Sequence, residues 1–169
     1  LKVAPEHDRE GPLRAMRKYR AGTLAEFKAE FDRLNEKLGK RQFLVPYLMS
    51  GHPGTTLRDM IDLVEELRLL GLKPRQVQDF TPTPMTLSTA QHLSGRDPLT
   101  GKAVKPVRGD RARLDQRAVL QWFLDEYTAR ARRIMKSFGH EDSAPRRGGK
   151  NKRRQVRTSP RLAKSRKRR

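Results

Sequence analysis

Cysteine is absent from this 169-residue chain. That excludes disulfides and any thiolate-held metal or iron–sulfur cluster within it. No run approaches the roughly 20 apolar residues of a membrane-spanning helix, and the opening Leu1-Lys2-Val3-Ala4-Pro5 lacks the apolar stretch of a signal peptide. The expectation is therefore a cytoplasmic chain with no membrane partner. Residue 1 is Leu rather than Met, so the expectation is also that coding sequence lies upstream. Hydrophobic residues make up only 34%, no more than the charged ones, and aromatics 6%. Acidic residues are missing altogether from residues 146–169, which hold 13 Lys and Arg of the chain's net +20. The remaining +7 spreads over residues 1–145, a mildly basic body.

That body alternates strand and helix signals. Leu1–Ala4 reads as the end of a strand stopped by Pro5. Thr23 and Glu26 form a capping box for a helix over Leu24–Leu38, in which Leu24, Phe27, Phe31, Leu34 and Leu38 share one face. Gly39 ends it. Phe43–Met49 is nearly continuous apolar sequence, as in a strand buried on both faces of a parallel sheet, although Pro46 argues against a central position. Ser50–Thr56 is a turn. Thr56 caps a second helix with Asp59 at its third position and an apolar stripe of Leu57, Met60, Ile61, Val64, Leu67 and Leu70. Gln76–Phe80 is a third strand, ended by Thr81-Pro82-Thr83-Pro84. Short connections in the order strand, helix, strand, helix, strand predict βαβ units on a parallel sheet with right-handed crossovers. Residues 85–109 read as a long irregular loop. Asp110 then caps a third helix with Leu114, Ala118, Val119, Trp122 and Phe123 on its buried side. A break near Leu124-Asp125 leads to a fourth, ending near Phe138-Gly139, as a helical hairpin. From Ser143 the near absence of apolar residues predicts disorder.

The chemistry carried by the residues alone is thin. Ligands of parallel sheets sit beyond the carboxyl ends of the strands. The Ser50-Gly51-His52 turn falls there, ahead of a helix N-terminus with free N–H groups, and His52 could hydrogen-bond or shuttle a proton. Equally, Gly51 and Gly54 could serve only a tight turn, with His52 solvated. Glu6 and His7 follow the first strand and could face the same end, or form a polar loop. No nucleophile–histidine–acid order stands out, and His7, His52, His92 and His140 lack a metal-site spacing. In the tail, Lys152, Arg153 and Arg154, with Arg166, Lys167 and Arg168, could bind nucleic acid non-specifically through counterion release. The alternative is a solvated, self-repelling tail with no partner.

Several stretches resemble the YgiQ-type radical S-adenosylmethionine (SAM) proteins. They are Leu1-Lys2-Val3-Ala4-Pro5-Glu6-His7, Leu44 to Thr56 (Leu-Val-Pro-Tyr-Leu-Met-Ser-Gly-His-Pro-Gly-Thr-Thr) and Gln76 to Pro84 (Gln-Val-Gln-Asp-Phe-Thr-Pro-Thr-Pro). Asp97-Pro98-Leu99-Thr100-Gly101-Lys102 and Arg108-Gly109-Asp110 also fit. The similarity runs from Leu1 to about Asp142. It implies an α/β fold: residues 1–84 as the last part of an incomplete parallel (β/α) barrel, 85–142 as a loop plus small helical C-terminal domain, and 143–169 as a disordered basic tail that departs from the family pattern.

In such enzymes a [4Fe–4S] cluster and SAM generate the 5′-deoxyadenosyl radical that abstracts hydrogen from a substrate. The three cluster cysteines would lie before Leu1. The resemblance thus implies a C-terminal enzyme fragment, inactive alone, contributing part of a SAM and substrate pocket through Glu6, Ser50, Gly51, His52 and Thr81. Its missing partner would be the N-terminal radical SAM half, in the same chain or a separate one, acting on an unknown substrate. The rival expectation is a nucleic-acid-binding protein working through its tail.

Overall fold

A computed structural model describes residues 1–19 and 22–140. The basic segment, with Lys152, Arg153, Arg154, Arg166, Lys167 and Arg168, lies outside the described residues. Three strands and six helices follow one another as β1 (Lys2–Glu6), α1 (Glu10–Ala15), α2 (Leu24–Lys37), β2 (Val45–Ser50), α3 (Leu57–Leu69), β3 (Gln76–Asp79), α4 (Leu87–Ser94), α5 (Asp110–Leu120) and α6 (Asp125–Ser137). The strands form one parallel sheet in the order β1-β2-β3. No described helix is long and apolar enough to cross a membrane.

Both crossover helices start as their sequences dictate. Thr23 Oγ1 accepts from Glu26 N (3.0 Å) while Glu26 Oε2 accepts from Thr23 N (2.7 Å). Thr56 and Asp59 repeat the reciprocal box at α3. Two orphan amides are satisfied at each start.

The helices cover one face of the sheet. Leu48 packs with Leu24 of α2, with Met60, Ile61, Val64 and Leu67 of α3, and with Val119, Leu120, Trp122, Ala131 and Met135 of the α5–α6 hairpin; Val3, Phe31 and Val77 border the same cluster. Successive right-handed crossovers in one direction put their helices on the same side. The opposite face carries Lys2, Ala4, Val45, Tyr47, Met49, Gln76 and Gln78, all exposed or half-buried.

Several sequence expectations change. β1 continues past Pro5 to Glu6: it is an edge strand, its register shifts between Val3 and Glu6, and a missing N–H is tolerated at such a place. β2 is central despite Pro46, because β3 begins opposite Tyr47, one residue further on. The proline nitrogen therefore faces no ladder partner. Phe43 lies outside the strand and is 79% exposed. The 85–109 stretch contains α4, capped by Thr86, whose hydroxyl accepts from Thr89 N (3.2 Å). Its short apolar content masked the helical period. Asp110 is the first residue of α5, not its cap; Gly109 precedes it at φ 81° without a side-chain cap. On α2 only Leu24 is buried, while Phe27, Leu34 and Leu38 are 46%, 41% and 60% exposed. Of that stripe Leu24 and Phe31 reach the core, and the other three stay exposed.

Candidate functional site

The predicted site residues gather at the carboxyl edge of the sheet. Glu6 ends β1 and pairs in register with Leu48, two residues before Ser50 ends β2. Ser50 stands opposite Asp79 at the end of β3, and the ladder closes with Phe80 N donating to Ser50 O at 2.7 Å. Thr81 follows, exposed, its hydroxyl 3.4 Å from Asp79 O.

Most polar groups of the Ser50–Thr55 turn are spoken for. Ser50 Oγ donates to Asp79 Oδ1, and Asp79 Oδ2 accepts from Arg117 Nη1 at 2.7 Å. That carboxylate raises the pKa of the Arg117 guanidinium above its ordinary value. Gly51 N donates to Gln116 Oε1 (2.8 Å), and Gln116 Nε2 donates to Thr55 O (3.0 Å). A buried carboxamide from α5 thus clamps both ends of the turn. Gly51 sits at φ 77°, and a Cβ there would lie 3.6 Å from Arg113 Cγ, so α5 approaches the turn closely.

His52 is buried rather than solvated. Its Nδ1 lies 2.7 Å from Pro53 O. A carbonyl only accepts, so Nδ1 carries the hydrogen and Nε2 accepts from Ser88 Oγ at 2.8 Å. Burial holds its pKa below the usual histidine value, and the Pro53 bond opposes that in part. Phe80 stands edge-on to the ring at 5.2 Å.

His7 is 1% exposed. Its Nδ1 accepts from Asp8 N and Arg9 N, both at 3.0 Å, so Nε2 bears the hydrogen; Nε2 is buried and has no hydrogen-bond partner. Burial pushes its pKa down to about 4, with nearby Arg9 and His52 adding to the shift and Asp59 opposing it. The ring is neutral at pH 7. Glu6, at φ 63°, lies 3.6 Å from Lys18 Nζ through Oε1, while its buried Oε2 has no hydrogen-bond partner. Buried polar atoms without a hydrogen-bond partner near this edge are thus Glu6 Oε2, His7 Nε2 and Thr55 Oγ1, while Thr81 and the sheet face opposite the helices are exposed or half-buried. On that face Tyr47 Oη is hydrogen-bonded to Gln78 Oε1.

Sequence reasoning missed Asp79, Arg117, Gln116, Ser88, Tyr47 and Gln78. The period-two alternation of β2 and β3 could have separated Tyr47 and Gln78 from Leu48 and Val77. The α5 residues carry no local signal, because they reach the turn only through packing. Among the described residues no cluster of three metal-ligating side chains exists.

The residues define a parallel α/β unit whose C-terminal helices brace the turn after its central strand. Residues 75–166 match the domain of unknown function DUF3362, and the chain belongs to that family. Its similar proteins are UPF0313 proteins, the YgiQ family. One from Geobacter sulfurreducens is 44% identical over 85% of this chain and 24% of its own length. One from Clostridium perfringens is 50% identical over 72% of this chain and 18% of its length, and one from Porphyromonas gingivalis 40% identical over 84% and 22%. The chain thus spans less than a quarter of the relatives' length. No solved structure matches it.

Proposed function

We propose that this chain is the C-terminal part of a larger radical SAM enzyme, in which the sheet is the closing portion of a partial (β/α) barrel. The observation that carries this reading is the one-sided helix layer. A sheet covered by helices on one face and presenting Lys2, Tyr47, Met49, Gln76 and Gln78 on the other suits a barrel wall, helices outward and a polar lining inward. The relatives' greater length supports it as well.

The donor set does not fit a cluster, since the chain has no cysteine; cluster ligands would come from the remainder of the enzyme. The residues fit SAM better. Glu6 keeps an orphaned buried carboxylate oxygen able to accept from a ribose hydroxyl or an ammonium group, and Thr81 carries an exposed hydroxyl at the same end of the sheet, beyond the far strand β3. Together with SAM, the cluster supplies the radical that removes a hydrogen from substrate. The part played by this chain is positioning. Ser50, Gly51 and His52, held by Asp79, Gln116 and Ser88, form the rigid floor on which the ligand rests; Glu6 and Thr81 bond it, and Tyr47 and Gln78 face it from the wall.

The test replaces the matched stretch of the Geobacter relative with this chain, reconstitutes the cluster anaerobically, and measures SAM binding and reductive cleavage. Glu6→Gln should weaken SAM binding about tenfold, the worth of one charge-assisted hydrogen bond, while Lys37→Gln on the outer helix should not. A folded, cluster-loaded chimera that neither binds nor cleaves SAM would sink the reading.

A further inference from the structure

The amino end of the sheet, opposite the candidate site, has a charge pattern of its own. Two helix-to-strand connections meet there, residues 38–44 between α2 and β2 and residues 70–75 between α3 and β3. β2 and β3 pair in parallel from Tyr47 and Gln76 onward, so the two connections enter the sheet side by side, one strand spacing of about 4.8 Å apart. Lys37, Lys40, Arg41, Lys73 and Arg75 stand on or beside them, all exposed. No acidic residue occurs in 37–45 or 67–78. None of these cations forms an ion pair among the described residues, whereas helix-borne cations such as Arg33 and Arg130 pair with Glu30 and Asp115. The last carboxylates of α3, Glu65 and Glu66, are engaged by His140 and Arg9. Helix dipoles account for little of the pattern. Lys37 lies in the last turn of α2, but a dipole's attraction falls off within that turn, and the other four lie beyond the helices. Phe43, between Arg41 and β2, is 79% exposed.

We infer that this amino edge binds a single-stranded nucleic acid, with the cations on its phosphates and the Phe43 ring stacked on a base. Charge complementarity argues for the occupant. Unpaired like charges on two adjacent connections repel one another, and a phosphodiester backbone relieves that while releasing its own counterions. An exposed ring among cations offers a base its face, a contact worth about 1–3 kcal/mol. Residues 146–169 add 13 further Lys and Arg with no acidic residue. Their charge is tethered to this side of the body, because His140, the last described residue, pairs with Glu65, about one turn before α3 ends. An anionic lipid surface suits the edge less well. Lipid is held by an amphipathic helix lying in the interface or by an acyl anchor; this edge is made of connections, and the exposed Leu38 and Leu69 stand singly at two helix ends. The inference goes beyond the radical SAM reading and does not depend on it, since Glu6, Ser50 and Thr81 lie at the other end of the strands.

The test titrates the full chain, by fluorescence anisotropy across a range of salt, with labelled single-stranded RNA and DNA of one sequence, about 20 nucleotides long. Lys40→Ala, Arg41→Ala, Lys73→Ala and Arg75→Ala combined should reduce the slope of log affinity against log salt by about 3, at about 0.7 per phosphate contact. Phe43→Ala should weaken binding about fivefold or more, the low end of one lost stack. Arg132→Ala with Arg133→Ala, exposed on α6, should change the slope by less than about 0.5. Should the fourfold variant melt early, Lys73→Gln with Arg75→Gln should still reduce the slope by about 1.4. A preference for RNA or for DNA supports the inference and names the ligand; equal binding supports it with the backbone alone being read. An unchanged slope in the folded fourfold variant overturns it, as does an equal loss in the α6 variant. Tighter binding to phosphatidylserine vesicles than to either nucleic acid overturns it too. SAM binding by the Geobacter chimera should survive the fourfold substitution, so either reading can fail while the other stands.

Discussion

Replacing Gly54 with alanine should be among the most damaging single-methyl changes in this chain. Gly54 sits at φ 81°, where a Cβ would lie 2.9 Å from Ala15 Cβ and 3.5 Å from Val104 Cγ1. Two costs combine. An L-residue in the left-handed region costs about 1–2 kcal/mol. Relieving a carbon–carbon contact well inside van der Waals range requires α1 or the turn to shift, about 1–3 kcal/mol by the usual cost of overpacking. Neither neighbour moves easily. Gly54 N donates to Lys105 O at 2.8 Å, and Ala15 O accepts from the buried Gln91 Nε2 at 3.2 Å. The sum is about 2–5 kcal/mol, and with a urea slope of about 2 kcal/mol/M the midpoint should fall by about 1–2.5 M. Trp122, the single tryptophan, is buried and reports unfolding by fluorescence. Gly101→Ala is the control, because Gly101 has φ 69° but nothing within 4 Å of its Cβ position; it should pay the conformational cost alone, about 1–2 kcal/mol. Adding Ala15→Gly to Gly54→Ala should return part of the excess as a favourable coupling of about 1 kcal/mol or more. Equal losses for Gly54→Ala and Gly101→Ala, with no coupling to Ala15, would refute the steric argument.

His7 makes the fold acid-sensitive. Its folded pKa of about 4 lies below the ordinary 6.5, so above pH 6.5 it contributes no pH dependence. As pH falls from 6.5 to 4, the unfolded chain takes up a proton that the folded chain refuses. About 3 kcal/mol should be lost over that window, and His7→Asn, which can still accept from Asp8 N and Arg9 N, should flatten the slope in chemical denaturation at stepped pH. Asp97 accepts from Leu99 N (2.9 Å) and Thr100 N (3.1 Å) and pairs with Arg17. Asp97→Asn, which keeps the turn bonds but weakens the pairing, should lower the melting temperature less than Asp97→Ala; the reverse order would contradict the assignment. Trp122 lies 4.9 Å beneath the Arg68 guanidinium within the main core, so Trp122→Ala should cost about 3–5 kcal/mol and Arg68→Met about 1 kcal/mol, read from calorimetric melting temperatures.

The sequence by itself determined the elements whose signals are local. The capping boxes at Thr23 and Thr56 started α2 and α3, the period of α3 set its buried face, and Gly39 stopped α2, because these depend on residues within one turn of each other. The collection of Glu6, Ser50, Gly51, His52 and Thr81 on one edge also followed from strand order. Tertiary structure alone decided what those residues do there. Gln116 reaches the Gly51 amide across 65 residues and Ser88 reaches His52 across 36, separations at which no periodicity carries information. It likewise set the exposure of Phe27, Leu34 and Leu38, whose spacing promises burial while burial itself requires a neighbour. An apolar stripe fixes which way a helix faces; only packing decides whether anything is there to meet it.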